Sequence, residues 1–129
     1  MHLGDIVSFA VMEYLRGLCR VEAVRGNCDL PDLRRELPVK KVLDIEGRKI
    51  GLIHGSGGPA ETLRLVRSEF HDKVDVALFG HTHVSYLAKE NGTLFFNPGS
   101  MRSGRDGANS YGILHLESEP WGEIINIEK

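Results

Sequence analysis

Four short polar segments each place a potential metal ligand beside a glycine, and each follows a stretch that favours a β-strand. The candidate ligands in these segments are Asp5, Asn27, His54, His81 and His83. One carboxylate, one amide oxygen and three imidazoles suit first-row divalent metals such as Mn, Fe, Zn or Ni better than Ca. Because loops at the carboxyl ends of strands in an open α/β sheet meet in one crevice, we predict that the four segments share one site.

The pair His81 and His83 leaves two arrangements open. Both imidazoles reach one metal if the chain turns between them, or each serves a different metal of a pair. Two cations about 3.5–4 Å apart bind a phosphoryl group, activate a bridging hydroxide and stabilise the leaving oxygen. Asp5 suits a bridging position, because its carboxylate offers two anionic oxygens.

Two segments carry the apolar spacing of an amphipathic helix. Ser8 is predicted to cap a helix over 9–18. An apolar stripe along this helix would pack against the core. That stripe is Val11, Leu15 and Leu18. Pro59 suits the first position of a second helix that runs to about Phe70. Its apolar face is Leu63, Val66 and Phe70.

The other apolar runs predict β-strands. The run 74–79 is apolar except at Asp75, which is typical of a strand buried on both faces. Glu46-Gly47 and Asn91-Gly92 predict hairpin turns, and the polar segment between Pro31 and Pro38 predicts a connection. The remaining predicted strands are 2–7, 21–24, 39–45, 49–53, 84–89, 93–96, 111–116 and 123–127. We therefore expect a mixed α/β (α+β) fold, with parallel pairing early in the chain and antiparallel pairing late.

Composition excludes several classes of protein. The 129 residues have the length of one domain, 1–129, and fractions of 41% hydrophobic and 26% charged residues exclude a disordered or fibrous chain. A net charge of −2 gives no strong nucleic-acid signal, and no segment approaches the ~20 apolar residues of a membrane span. No signal peptide is visible, so we expect a cytoplasmic protein in which Cys19 and Cys28 are reduced thiols.

The order of five motifs along nearly the whole chain resembles the calcineurin-like metallophosphoesterases, specifically the small phosphodiesterase branch that includes the retromer scaffold subunit. The motifs are His-Leu-Gly-Asp (2–5), Gly-Asn-Cys-Asp (26–29), His-Gly (54–55), Gly-His-Thr-His (80–83) and Asn-Pro-Gly-Ser (97–100). The resemblance implies a metallophosphoesterase-like β-sandwich flanked by helices, with a two-metal site above the sheets. It also implies hydrolysis of a phosphate ester, specifically a phosphodiester, by metal-bound hydroxide. Mn²⁺ is the metal expected, with Zn²⁺, Ni²⁺, Fe²⁺ or Mg²⁺ as alternatives.

The resemblance also assigns roles to individual ligands. It implies that Asp5 bridges both metals and that His83 belongs to the second metal. The residues that complete the shell of the first metal are Asn27, His54 and His81. The implied catalytic residues are Asp5, Asn27 and His81.

Substrate contacts and the leaving group involve three further positions. Asn27 and Arg102 are expected to bind substrate, although Arg102 and Arg105 are equally compatible with a solvated loop. Many relatives carry a histidine after the asparagine of the second motif, where it acts on the leaving group. Here Cys28 occupies that position, so the proton must come from another group or from solvent, unless the leaving group is a good one.

The sequence departs from the family pattern at its start. The family opens with a D-x-H motif, but no Asp in this chain has a His two residues later. We expect a strand and helix of about 30 residues to be missing. Three explanations are open: the chain is a fragment, its start is placed too late, or it is a true short form. The second metal would then keep only Asp5 and His83, too few to compete well for an ion. One metal instead of two, and weak activity, are therefore expected.

Two further expectations concern partners. The missing strand would expose an apolar sheet edge beside Leu3 and Ile6 and would favour self-association. A small phosphate-ester substrate is expected, with no membrane partner; the alternative function is a non-enzymatic protein-interaction scaffold resembling the retromer subunit. The remaining polar positions are interpreted as structural or solvated: His2, His71, His115 and 97–100.

Overall fold

The computed structural model describes residues 1–127, which form helices and strands around a five-stranded sheet. The helices are α1 (Phe9–Leu18), α2 (Pro31–Glu36) and α3 (Pro59–Phe70). The strands are β1 (Lys40–Ile45), β2 (Arg48–Ile53), β3 (Val76–Phe79), β4 (Tyr86–Glu90), β5 (Thr93–Asn97), β6 (Asn109–His115) and β7 (Trp121–Ile127). The mixed α/β class expected from the sequence is confirmed.

The five-stranded sheet has the order β1-β2-β3-β5-β4. Its three central strands are parallel, and β1 and β4 pair antiparallel at the two edges. β6 and β7 form a separate antiparallel sheet. Parallel pairing occurs early in the chain, as expected, in the isolated bridge of His2 with Ala23, and the pairs late in the chain are antiparallel. The β1–β2 hairpin is an exception, because it is antiparallel and precedes the parallel pairs of β2, β3 and β5.

Both predicted hairpin turns are confirmed. Glu46 and Gly47 have φ angles of 52° and 79°, and Asn91 and Gly92 have φ angles of 50° and 84°. Positive φ at both central residues defines the two-residue turn whose twist matches antiparallel strands. These turns fix the register of β1 against β2 and of β4 against β5.

Both faces of the five-stranded sheet are covered. On one face α3 buries Val66 and Phe70 against a core cluster that includes Phe95. On the other face the β6–β7 sheet packs against Phe96, so closely that a Cβ atom at Gly112 or Gly122 would lie within 2.7 Å of the Phe96 ring. The result is a two-sheet sandwich with a helix on its outer face, as the family resemblance implied.

The first helix turns a different face to the core from the one predicted. Ser8 caps α1 through its side chain, as expected. Met12 is the buried residue of the helix, at 1% exposure, whereas Val11 and Leu18 are 44% and 66% exposed. Val11 and Leu18 of the predicted stripe therefore face solvent and Leu15 is half-buried, because Met12 fills a cluster built by neighbouring loops and α2.

Three other local predictions need correction. The segment that begins at Pro31 is a helix and not a connection. Proline occupies its first position, and its residue Leu33 is fully buried. Residues 21–24 form only one isolated parallel bridge, between Ala23 and His2. Ile6 is buried at 4% exposure, and Leu3 is half-buried against the main core, so these two side chains do not form an exposed apolar edge.

Two further features concern the helices and the cysteines of the described residues. None of the helices within 1–127 has both the length and the apolar character needed to cross a membrane. Cys19 and Cys28 are both free, as predicted, and both are exposed.

Candidate metal centre

The predicted ligand segments lie at one end of the sheet. His54 directly follows β2, and Gly80 and His81 directly follow β3, which runs parallel to β2. The short bridge of His2 with Ala23 places the loops that carry Asp5 and Asn27 beside them. Carboxyl ends of neighbouring parallel strands meet at the same edge, which explains the convergence of residues distant in sequence.

Four side chains are in direct contact at this end of the sheet, and we call them the donor cluster: Asp5, Asn27, His54 and His81. The Oδ1 atom of Asn27 lies 2.9 Å from Nε2 of His54 and 3.2 Å from Nδ1 of His81. The two imidazole nitrogens are 3.2 Å apart. Nε2 of His54 is also 3.3 Å from Oδ2 of Asp5.

The tautomer of His54 makes the cluster rich in acceptors. Its Nδ1 atom lies 2.6 Å from the carbonyl oxygen of Leu3, which only accepts hydrogen bonds, so Nδ1 carries the proton. In the neutral ring Nε2 then has a lone pair directed at the oxygens of Asn27 and Asp5, which are acceptors themselves. Acceptors in mutual contact repel one another unless a cation lies between them.

The spacing of the donor cluster fits the ligand shell of one first-row cation. Ligand atoms about 2.0–2.2 Å from a single ion lie about 2.8–3.6 Å from each other in tetrahedral or octahedral geometry. The four distances within the cluster, 2.9–3.3 Å, fall in that range. Within 1–127 no group of three or more His, Cys, Asp or Glu side chains is arranged to hold a metal ion. The donor cluster differs from such a group because it includes the Asn27 oxygen, which contacts both imidazoles.

His83 lies apart from the donor cluster but lines the same cavity of about 490 Å³. Its Nδ1 atom is 3.0 Å from the carbonyl oxygen of Ser103, to which it donates in the neutral ring. A ring N–H held by a carbonyl is the usual support of a metal-binding histidine, because it leaves the other nitrogen unprotonated. His54 and His83 both have this support.

The chain turns at both histidines of the Gly-His-Thr-His motif, yet only His81 joins the donor cluster. His81 and His83 have φ angles of 69° and 60°, in the left-handed region that non-glycine residues rarely adopt. Asp5 has the same strained backbone, with a φ angle of 61°. Strain of this kind is concentrated at functional sites, where the surrounding structure over-determines it.

The Asn-Pro-Gly-Ser motif holds the turn of residues 80–83 through hydrogen bonds of Asn97. Asn97 is fully buried, and its Nδ2 donates to the carbonyl oxygen of Gly80 and to Oγ1 of Thr82, at 3.1 Å each. Its Oδ1 accepts the N–H of Gly99 at 2.9 Å. These contacts agree with the interpretation of this motif as backbone architecture.

The other candidate residues lie at the margin of the site or away from it. His2 lines the cavity and its Nδ1 accepts the N–H of Gly4 at 3.2 Å; burial lowers the pKa of His2, so the ring is neutral at pH 7. Arg102 is an exposed residue of the cavity wall, and Arg105 is not among the residues that line it. His71 contacts Asp72, and His115 stacks on Trp121, both outside the cavity.

Cys28 sits beside the donor cluster without belonging to it. Its backbone N–H donates to Oδ1 of Asp5 at 2.8 Å. The Asp5 carboxylate is the main cause that raises the pKa of the Cys28 thiol above its ordinary value. The thiol is therefore protonated at neutral pH in the metal-free protein.

This electrostatic effect predicts faster alkylation of Cys28 in Asp5→Asn. Only the thiolate reacts with iodoacetamide, and loss of the carboxylate lowers the pKa of Cys28, so the thiolate fraction below that pKa rises. We expect a several-fold faster reaction of the metal-free variant at pH 8, measured by peptide mass spectrometry. Cys19 in the same molecule is the internal control, and equal acceleration of both cysteines would contradict the assignment.

The sequence alone did not point to Asp29 or Ser103. Asp29 is only 4% exposed and is surrounded by backbone N–H groups. Its only sequence signal is its place three residues after Gly26 in the second motif. Ser103 acts through its carbonyl oxygen, which carries no side-chain signal.

Residues 1–119 match the family model of the calcineurin-like phosphoesterase superfamily domain. The chain belongs to this superfamily. It is 35% identical to a protein of Methanocaldococcus jannaschii named "Probable metallophosphoesterase", over an alignment that includes all of this chain and 66% of the relative. This calcineurin-like chain thus spans about two thirds of that relative's length.

Solved structures agree with the fold of this superfamily member. An archaeal phosphodiesterase superposes with a TM-score of 0.74 at 23% identity, over 98% of this chain and 81% of its own. Vps29 of Entamoeba histolytica, solved in complex with Zn²⁺, superposes with a TM-score of 0.70 at 24% identity, over 96% of this chain and 79% of its own. At these identities the likeness concerns the fold alone.

Proposed function

We propose that this chain is a metal-dependent phosphoesterase whose donor cluster binds one divalent cation. The observation that carries the proposal is the contact among four potential ligand atoms from four separate loops, at the spacing of a ligand shell. The family is metal-dependent, and membership of it supports a phosphoesterase. The narrower assignment to phosphodiesters rests on the resemblance of the motifs to the small phosphodiesterase branch.

Each residue of the donor cluster would have a distinct task. Asp5 contributes the only negative charge of the donor cluster, so the cluster favours a cation over a neutral molecule. Leu3 orients the His54 ring, and Asn27 contacts both histidines, so the set is arranged before anything binds. When bound, the cation would supply Lewis-acid activation of water and of the phosphoryl oxygens.

Substrate would enter the cavity of about 490 Å³ between the donor cluster and Arg102. A guanidinium matches the geometry of phosphate oxygens, so Arg102 on the cavity wall would hold the phosphoryl group. Asn27 is exposed beside His54 and His81, where it would contact the substrate. Cys28 stands at the cavity with a protonated thiol, but a thiol is a poor acid, so we expect solvent to protonate the leaving group.

A second cation would find fewer ligands. His83 is oriented by Ser103 and Asp5 has a second oxygen, but these two side chains are the only candidate ligands that the sequence motifs leave for it. Two protein ligands compete poorly for a divalent ion. We therefore propose weak hydrolysis with one cation, in a cytoplasmic protein, with Mn²⁺ as the physiological ion and Zn²⁺, Ni²⁺, Fe²⁺ or Mg²⁺ as alternatives.

The test combines Mn²⁺ titration by calorimetry with hydrolysis of a bis-aryl phosphate by the same preparation. We expect about one Mn²⁺ per chain and slow, strictly Mn²⁺-dependent turnover. Full activity at two Mn²⁺ per chain would contradict the proposed impairment. No Mn²⁺ binding at all would contradict the phosphoesterase proposal itself.

A scaffold function is the second candidate, favoured by the outward face of α1. Val11, Tyr14 and Leu18 share one side of the helix and are 44%, 69% and 66% exposed. Exposed apolar patches commonly mark protein interaction sites. Mn²⁺ binding without any turnover of the diester would favour this candidate over the enzyme.

A further inference from the structure

A buried carboxylate joins the two loops that carry Asp5 and Asn27. Asp29 is 4% exposed, and its Oδ2 atom accepts the N–H of Gly26 at 2.7 Å and that of Asp5 at 3.3 Å. Its Oδ1 atom accepts the N–H of Val7 at 2.7 Å. One side chain therefore holds three amides, two from the first loop and one from the second.

The first of these loops has a backbone that needs such support. Asp5 and Val7 have φ angles of 61° and 77°, and a β-branched residue such as Val7 is a clear outlier in this region. The carbonyl of Val7 also accepts the N–H of Leu30 at 3.0 Å, which ties the same loops together on the other side of Asp29. Without the carboxylate, the amides of Asp5, Val7 and Gly26 would lose the acceptor that pairs them.

The same contacts set the position of the metal-binding atoms. Asp29 holds the amide of Asp5 itself and the amide of Gly26, which directly precedes Asn27. The next residue, Cys28, donates its N–H to Oδ1 of Asp5, so that Oδ2 is the oxygen that faces His54. A shift of either loop would separate the Asp5 and Asn27 oxygens from the two imidazoles.

We propose that Asp29 is a positioning residue of the metal site, a role that rests on the proposed function. It does not belong to the donor cluster. Its two oxygens fix both loops so that the carboxylate of Asp5 and the amide oxygen of Asn27 contact the same imidazole. Partners that orient metal ligands typically change metal affinity by about 10–100-fold when they are replaced.

Two variants separate this role from a simple effect of charge. Asp29→Asn and Asp29→Ala lose the same negative charge, but asparagine keeps one acceptor oxygen and alanine keeps none. Direct attraction between Asp29 and the cation would be lost equally in both. Positioning predicts an affinity for Mn²⁺ reduced about 10-fold in Asp29→Asn and about 100-fold in Asp29→Ala. The matched control, Asp32→Asn, removes an exposed carboxylate of α2 and should leave the affinity unchanged.

Mn²⁺ affinity is measured by calorimetry at a temperature where circular dichroism shows each variant folded. A second readout needs no metal: the amide proton resonances of Gly26 and Val7, which carboxylate hydrogen bonds move downfield, should both move upfield in Asp29→Ala. If Asp29→Ala does not fold, Asp29→Asn tests the proposal with the same two measurements. We then expect a moved Gly26 or Val7 resonance and weaker Mn²⁺ binding.

The outcomes distinguish this role from the proposed function. Wild-type protein that binds no Mn²⁺ refutes the metal site and, with it, the role of Asp29. Wild-type protein that binds Mn²⁺ while both Asp29 variants bind it equally well, or lose equal affinity, refutes the positioning role alone. In the case of an unfolded alanine variant, an Asp29→Asn affinity equal to that of Asp32→Asn refutes it.

Discussion

Replacing Asp5 by asparagine is expected to abolish metal-dependent hydrolysis and to weaken Mn²⁺ binding by more than about 100-fold, beyond the range seen for residues that only orient ligands. Asp5 supplies the only negative charge of the donor cluster, and its Oδ2 contacts Nε2 of His54. An asparagine oxygen can still accept the N–H of Cys28, so the fold should persist. Calorimetry with Mn²⁺ and the bis-aryl phosphate assay measure the two effects.

The matched control is Asp44→Asn. Asp44 is an exposed residue of β1 and does not line the cavity, yet its replacement changes the net charge by the same amount. Loss of Mn²⁺ affinity in this control as large as in Asp5→Asn would mean that overall charge, and not ligation, governs binding. Retained turnover in Asp5→Asn would show that Asp5 is not a ligand of the catalytic metal.

Adding one methyl group at Gly26 is expected to disrupt the site nearly as much. A Cβ atom there would overlap the amide nitrogen and Oδ1 of Asp5, both of which take part in the contacts between the loops. The Asp5 loop must move away, and a displacement near 1 Å at a reacting centre can cost about 100-fold in rate. Overpacking also destabilises a protein by about 1–3 kcal/mol. Turnover, Mn²⁺ affinity and urea unfolding of Gly26→Ala check these effects.

Gly17→Ala gives the opposite result and serves as its control. Gly17 lies in α1 with open space around it, so alanine should stabilise the protein by about 0.5–1 kcal/mol and leave Mn²⁺ binding unchanged. A Gly26→Ala protein with wild-type Mn²⁺ affinity would show that the close approach of the Gly26 and Asp5 loops is not needed for the site.

Elements that depend on local chemistry could be predicted from the sequence. The two hairpins follow from Glu46-Gly47 and Asn91-Gly92, because only a few residue types tolerate positive φ at both turn positions. Helix α3 follows from the proline at its start and from the spacing of Val66 and Phe70. Each of these signals lies within a few residues of the structure it determines.

Elements that depend on tertiary packing could not be predicted. The stripe of Val11 and Leu18 has helical spacing, but Met12 is the residue that fits the space left by Ile6 and Leu33. The spacing of apolar residues shows that a helix has an apolar side. It does not show which side a distant part of the chain will cover.

The candidate site divides in the same way. Ligand types beside glycine pointed to Asp5, Asn27, His54 and His81, and the structure brings these four side chains into contact. The supports of the site are long-range contacts with backbone atoms, such as the bond of His54 to the Leu3 carbonyl. Backbone groups are present at every residue, so the sequence contains no signal for them.

The most direct test of the account is an anomalous difference map from crystals of the protein grown with Mn²⁺. The account predicts one strong peak within about 2.0–2.3 Å of Oδ2 of Asp5, Oδ1 of Asn27, Nε2 of His54 and Nδ1 of His81. A protein with no peak among these four atoms, or with Mn²⁺ bound only elsewhere on its surface, would contradict it.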